Sequence, residues 1–185
     1  MKRSMIARLL AAVLAAFLAG CAAHVSLDAP PPPGAASLFT TDERAFVTQA
    51  AATGLYEVQA GRLATDRAVH PGVRTYAQAL VTDHMQANGE LDALLRAKGM
   101  APLSALPPEF ASKFDELAGL RAGPEFDRGF VRGPGARDHA AAIALFERGR
   151  AQSVDRDLRA WIDRMLPALR THLAQAQMLA AVLGP

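Results

Sequence analysis

Four polar residues that can donate lone pairs, Glu57, His84, His139 and His172, each interrupt an otherwise apolar helical stripe. Three imidazoles and one carboxylate form a donor set for a single borderline metal such as zinc, copper or iron. The same residues also fit a polar core without metal, in which each histidine donates to a carboxylate or carbonyl. Their distribution, one on each long helix, is what a shared site requires and places that reading beside the polar core. Asp83 and Asp138 directly precede two of these histidines. Neighbouring residues on a helix do not face the same way, so neither aspartate can serve its own histidine. Each could instead orient an imidazole from the helix opposite, and a solvated aspartate at the rim of the stripe is the alternative.

Other chemistries leave no trace. There is no Gly-x-Ser-x-Gly, no His-Glu-x-x-His and no glycine-rich phosphate loop, so catalysis is not the expectation. Gly133-Pro134-Gly135 could open the interior to a substrate, but no nucleophile stands beside a base at a recognised spacing.

The elements that must position the four residues read as long helices. Thr40 with Glu43 is a capping box that opens the first, expected to run to about Asp66. Phe46, Ala50, Gly54, Glu57, Gly61 and Ala64 recur on one face of it. His70-Pro71-Gly72 forms a short turn into the second helix. Its stripe is Val73, Ala77, Leu80, His84, Ala87, Leu91 and Leu94, and it stops at Gly99. A longer connection holds Pro102, Pro107 and Pro108, with a short extra helix around Phe110, Phe114 and Leu117.

Pro124 starts the third long helix, in which Gly133-Pro134-Gly135 predicts a kink or brief break. After a turn near Ser153, the fourth helix carries Leu158, Ile162, Met165, Leu169, His172, Ala176, Leu179 and Leu183, with Pro167 expected to bend it. Short connections make neighbours antiparallel, which predicts an all-α, up-down-up-down four-helix bundle over residues 41–185. At about 1.5 Å per residue, Glu57 and His84 fall roughly 17 and 23 Å from the first turn. His139 and His172 fall roughly 21 and 28 Å from the second. His84 and His139 are thus expected to be neighbours with Glu57 close, while His172 needs a tilt or the Pro167 bend to join them.

The N-terminus reads as a lipoprotein leader. Lys2, Arg3 and Arg8 precede an apolar run that ends in Leu18-Ala19-Gly20-Cys21, and Cys21 is the single cysteine. Residues 1–20 are expected to be cleaved and Cys21 lipidated, with residues 21–40, rich in proline and alanine, as a stiff tether. Ala22 after the cysteine points to the outer membrane of a Gram-negative host, facing the periplasm. Of the 20 lysines and arginines three lie in the leader, leaving 17 against 18 acidic residues. A nearly neutral domain gives no reason to expect nucleic acid as a partner.

Several short segments together resemble a family of bacterial envelope proteins classed as a domain of unknown function and often labelled membrane proteins. They are Gly54-Leu55-Tyr56-Glu57 with Leu63-Ala64, Val81-Thr82-Asp83-His84 with Asn88 and Leu91, Phe126-Asp127-Arg128, Asp138-His139 with Phe146, and Leu166-Pro167 with His172. The resemblance runs from about Asp42 to Leu183 and implies a ferritin-like four-helix fold and export, without a settled activity. Arg132 to Ala136 departs from the family's unbroken helix and disturbs the placement of His139. A di-iron site is not expected, because Glu-x-x-His pairs are absent: the residues three before the stripe histidines are Val81, Ala136 and Leu169.

The expected function is therefore a lipid-anchored envelope protein that binds one metal ion in its core or acts in envelope stress. The alternative is an interaction module for another envelope protein, with a purely hydrogen-bonded polar core.

Overall fold

Helix formation begins at a reciprocal cap, in which Glu43 N–H donates to Thr40 Oγ1 at 3.2 Å and Thr40 N–H donates to Glu43 Oε2 at 2.8 Å. The pair satisfies donors that a helix start leaves open. The computed structural model describes residues 38–185; the leader, Cys21 and the tether as far as residue 37 lie outside the described residues. From the cap, α1 runs over Thr41–Arg67 and α2 over Pro71–Ala97. Gly99 stands at a φ of 74° just past α2, a left-handed conformation that stops the helix where a side chain would be strained.

Helix α3 (Pro108–Gly119) occupies the long connection, and α4 (Pro124–Phe130) begins the third long element. The break expected at Gly133-Pro134-Gly135 is instead a π-helical segment, Val131–Asp138, which leads directly into α5 (His139–Gln152). Widening the turn moves the preceding carbonyls away from the proline ring, so the chain keeps its direction without an α-helical bond at Pro134. Helix α6 (Arg156–Leu183) is capped by Asp155, whose carboxylate accepts the N–H groups of Asp157 and Leu158. The described residues are all-α, with no strand among them. Among them, no helix is long and apolar enough to cross a membrane.

The helices pair antiparallel. On α1 and α2, Gly54 meets Asn88 while Gly61 meets Val81 and Ala77. On α5 and α6, His139 meets His172 and Glu147 pairs with Arg170. Helix α2 meets α6 through Asp83 with His172 and Glu90 with Arg164, and α1 meets α5 where Phe46 lies on Gly149. A Cβ on Gly149 would stand 2.5 Å from the Phe46 ring, so this crossing depends on the missing side chain.

The interior divides into two apolar clusters. One gathers Tyr56, Val73, Tyr76, Leu80, Phe126 and Phe130; the other gathers Phe46, Leu91, Phe146, Leu158, Trp161 and Ile162. On α2, at the start of α5 and on α6, the boundary between the clusters falls at His84, His139 and His172. Truncating a fully buried aromatic such as Phe130 would cost about 3–5 kcal/mol, so both sides of this layer are firmly held.

One polar clasp was not legible in the stripes. Glu43 Oε1 accepts from Ser153 Oγ and from the N–H groups of Val154 and Asp155, while Lys98 donates to Asp155. This ties the turn before α6 to the start of α1 and the end of α2. Burial alone would raise the Glu43 carboxyl, but these donors and the Thr40 N–H outweigh it and lower the pKa to about 2.

Candidate metal centre

His84 arrives from the middle of α2, His139 from the first residue of α5, and His172 from α6, one turn past the apolar Leu169. All three are buried. Their inward nitrogens converge: His84 Nε2 lies 3.4 Å from His139 Nε2, which lies 3.3 Å from His172 Nδ1. A tetrahedral ion with bonds of about 2.0 Å to nitrogen separates its ligand atoms by about 3.3 Å. His139 Nε2 thus stands at ligand spacing from both other rings, and all three nitrogens lie within 4.8 Å of one another.

The far side of two rings decides their tautomers. His139 Nδ1 donates to the carbonyl of Pro134 at 2.8 Å, and His172 Nε2 donates to Asp83 Oδ2 at 2.9 Å. Both partners are acceptors, so in the neutral rings the proton sits outward and the lone pair points inward. The Pro134 carbonyl lies within the π-helical segment, five residues before His139. The segment that disturbs the helix also orients His139.

Burial, then the neighbouring imidazoles, hold the His84 pKa well below the usual histidine value. Burial likewise lowers His139 to about 4, against the opposing bond to Pro134. Both rings are therefore neutral at physiological pH and open to a metal.

Of the two aspartates, the structure brings only Asp83 to a histidine of another helix. Asp138 turns to Lys113, whose Nζ is 3.0 Å from Oδ2, and to Arg137. Asp138 thus orients no imidazole: its carboxylate is held by Lys113 and Arg137. Glu57 is also placed differently from a fourth ligand. Its Oε1 lies 4.0 Å from His139 Nδ1, the nitrogen behind the ring, and among the described residues only the three histidines form a donor cluster. The stripe brought Glu57 to the right level, but the orientation of His139 leaves it on the wrong side.

Neither carboxyl oxygen of Glu57 has a hydrogen-bond partner among the described residues. Burial, with Asp138 nearby, raises its pKa well above the usual carboxylate value, Lys113 opposing. His172, expected to need a tilt, reaches His139 directly; the lag of about one turn assumed straight, parallel axes.

Sequence reasoning did not single out Lys113, the Pro134 carbonyl or Trp161. Lys113 lies on the short α3 and reads as solvated, and a backbone carbonyl has no signature in a sequence. Trp161 sits one position outside the stripe that carries Ile162.

An all-helical bundle with a buried trio of imidazoles defines a helical protein with a candidate metal centre. The chain belongs to the family described as Domain of unknown function (DUF4142), which matches residues 28–179. No curated protein sequence matches it. Among solved structures it is similar to a DUF305 fragment from Deinococcus radiodurans, at 18% identity and a TM-score of 0.66, over 80% of this chain and 99% of that one. It is also similar to CopM in the Cu(II)-bound form, at 14% identity and a TM-score of 0.62, over 77% of this chain and 97% of that one. CopM in the Cu(I)-bound form gives 16% identity and 0.61, over 74% and 93%. At these identities the likeness is one of fold.

Proposed function

We propose that this protein binds a single transition-metal ion through His84, His139 and His172, with Asp83 holding His172 in register. The convergence of three imidazole nitrogens, with His139 Nε2 at 3.4 Å and 3.3 Å from the other two and all three within 4.8 Å of one another, carries this reading, two of them with protons committed outward. Two lone pairs facing each other in a buried site repel unless a cation lies between them. A proton on His172 Nδ1 donated to His139 Nε2 is the metal-free way to satisfy the pair, and metal loading distinguishes the two. Imidazole suits zinc, copper and iron, and copper binds most tightly in the divalent series. The fold likeness to CopM in copper-bound forms supports copper as the first metal to test.

The antiparallel pairings support an up-down-up-down four-helix arrangement of ferritin-like kind. The leader and Cys21 support a lipid anchor in the cell envelope, at the outer membrane and facing the periplasm in a Gram-negative host. There the protein would hold a metal ion or act in envelope stress. An interaction module with a purely hydrogen-bonded core is the second reading, and it requires a proton between His139 Nε2 and His172 Nδ1.

The test is elemental analysis of the purified full chain after loading with copper or zinc and removal of excess. One ion per chain is expected, retained in His70→Asn and lost in the His84→Ala, His172→Ala double variant. A wild-type chain that retains no metal under any loading condition defeats the proposal.

A further inference from the structure

We infer that the metal enters and leaves through the seam between α2 and α6, at a gap bounded by Ala87 and Ala168, with the Met165 thioether as a soft ligand on the way that favours Cu(I). This rests on the metal reading above. The seam is pinned at two places. At the histidine level Asp83 holds His172, and about 10 Å further along α2 Glu90 pairs with Arg164. Between these contacts the helices present only methyl groups: Ala87, one turn past Asp83, and Ala168, one turn before His172.

A cavity of about 40 Å³ runs in from this gap. The half-buried Ala87, Met165 and Ala168 and the exposed Asp83 stand at its mouth, and the buried Ala142, Phe146 and Leu169 close its back. His84 and His172 line it and His139 does not, so an ion arriving this way meets the first two imidazoles and reaches His139 last. The seam between α1 and α2 is shut instead, by Asn88 against Gly54 and Val81 against Gly61.

The size of the route sets the chemistry. A single water needs roughly 10–15 Å³ on this measure, so the cavity passes an ion that has shed most of its water, and a full hydration shell does not fit. Met165 replaces part of what is shed. It lies two turns before His172 on the same face of α6, about 10 Å away, and its sulfur is the one thioether lining the cavity among the described residues. A thioether is a soft ligand that suits Cu(I), and transfer from it to the imidazoles is ligand exchange without a change of oxidation state. Asp83 adds a negative charge at the mouth, while Arg164 and Arg170 nearby are each paired with a glutamate.

Anaerobic stopped-flow loading of the full chain tests the route, with Cu(I) supplied as its complex with a chromophoric chelator. Ala87→Leu and Ala168→Leu, which fill the gap, should slow both loading and release about tenfold, or about 1.4 kcal/mol in the barrier, while one ion per chain and the equilibrium affinity are retained. Met165→Leu, which keeps the volume and removes the sulfur, should slow Cu(I) loading several-fold and leave Zn(II) loading at the wild-type rate. Ala160→Leu, exposed on α6 outside the cavity, should load as the wild type does.

Gap-filling variants that load at the wild-type rate, or that lose affinity without loading more slowly, overturn the route and leave the metal reading intact. So does an equal slowing in Ala160→Leu. Met165→Leu that loads Cu(I) at the wild-type rate, or that slows Cu(I) and Zn(II) alike, overturns the role of the sulfur. A chain that retains no metal overturns both readings. Ala87 and Ala168 are half buried and lie on different helices, so one variant keeps the test open if the other does not fold.

Discussion

His139 Nε2 and His172 Nδ1 face each other at 3.3 Å, while each ring donates its proton outward, one to the Pro134 carbonyl and the other to the Asp83 carboxylate. The arrangement spends hydrogen bonds to aim two lone pairs at one point. In an apolar interior that is unfavourable unless a cation occupies the point.

The Asp83 carboxylate is accordingly a positioning group for His172. Asp83→Ala should lower metal affinity by about 10–100-fold, the usual loss when the partner of a ligating histidine is removed. Asp83→Asn retains an acceptor oxygen and should recover part of that loss. Competition against a chromophoric chelator measures both, and equal losses in the two variants would count against positioning.

Glu57 makes the metal-free protein sensitive to pH in a definite direction. Its folded pKa is raised, so its contribution is fully present below the ordinary value of 4.5 and is lost as pH rises through the folded value. His139, lowered to about 4, acts in the opposite sense, adding stability as pH rises from 4 to 6.5. Comparing Glu57→Gln with wild type isolates the carboxyl. The melting temperature of the variant relative to wild type should climb as pH rises above 4.5 and level off once the folded pKa is passed; a constant difference would contradict the placement of this group.

Glu43 behaves as the reverse case. Its pKa falls from 4.5 to about 2 on folding, so its stabilisation is present above pH 4.5 and disappears as pH falls towards 2. The shift corresponds to about 3 kcal/mol at neutral pH. Denaturant titrations should find Glu43→Gln less stable by an amount of that order at pH 7, with the gap closing near pH 2.

Two glycine substitutions should differ in sign. Gly89 on α2 has nothing within 4 Å of an added Cβ, so Gly89→Ala should stabilise by about 0.5–1 kcal/mol through helix propensity. Gly149→Ala gains the same propensity but drives a methyl into the Phe46 ring, an overpacking that costs about 1–3 kcal/mol. Thermal denaturation of the pair separates propensity from packing.

Cys21→Ser should move the protein from the membrane fraction to the soluble fraction, because a lipid on this cysteine is the anchor proposed for the chain. Fractionation of cells expressing both forms decides it, and unchanged membrane retention would defeat the anchor.

The sequence by itself determined the helices and most of their buried faces. The Thr40–Glu43 box, His70-Pro71-Gly72 and Gly99 are local signals, governed by backbone bonds within a few residues, and the structure places helix ends at each. The stripes likewise brought His84, His139 and His172 inward, since burial follows helical period. At the end of α2 the pattern slipped, because Leu95 and Lys98 are the more buried residues there and the lysine is held by Asp155.

Only the tertiary structure decided which atoms face which. Whether Glu57 joins the imidazoles depends on the rotation of the His139 ring, and that is fixed by a carbonyl in the π-helical segment. Whether Asp83 or Asp138 meets a histidine depends on what the opposite helix presents: His172 for the first, Lys113 for the second. Period and capping act over one or two turns, whereas ring orientation and lone-pair direction depend on partners brought together by packing from far along the chain.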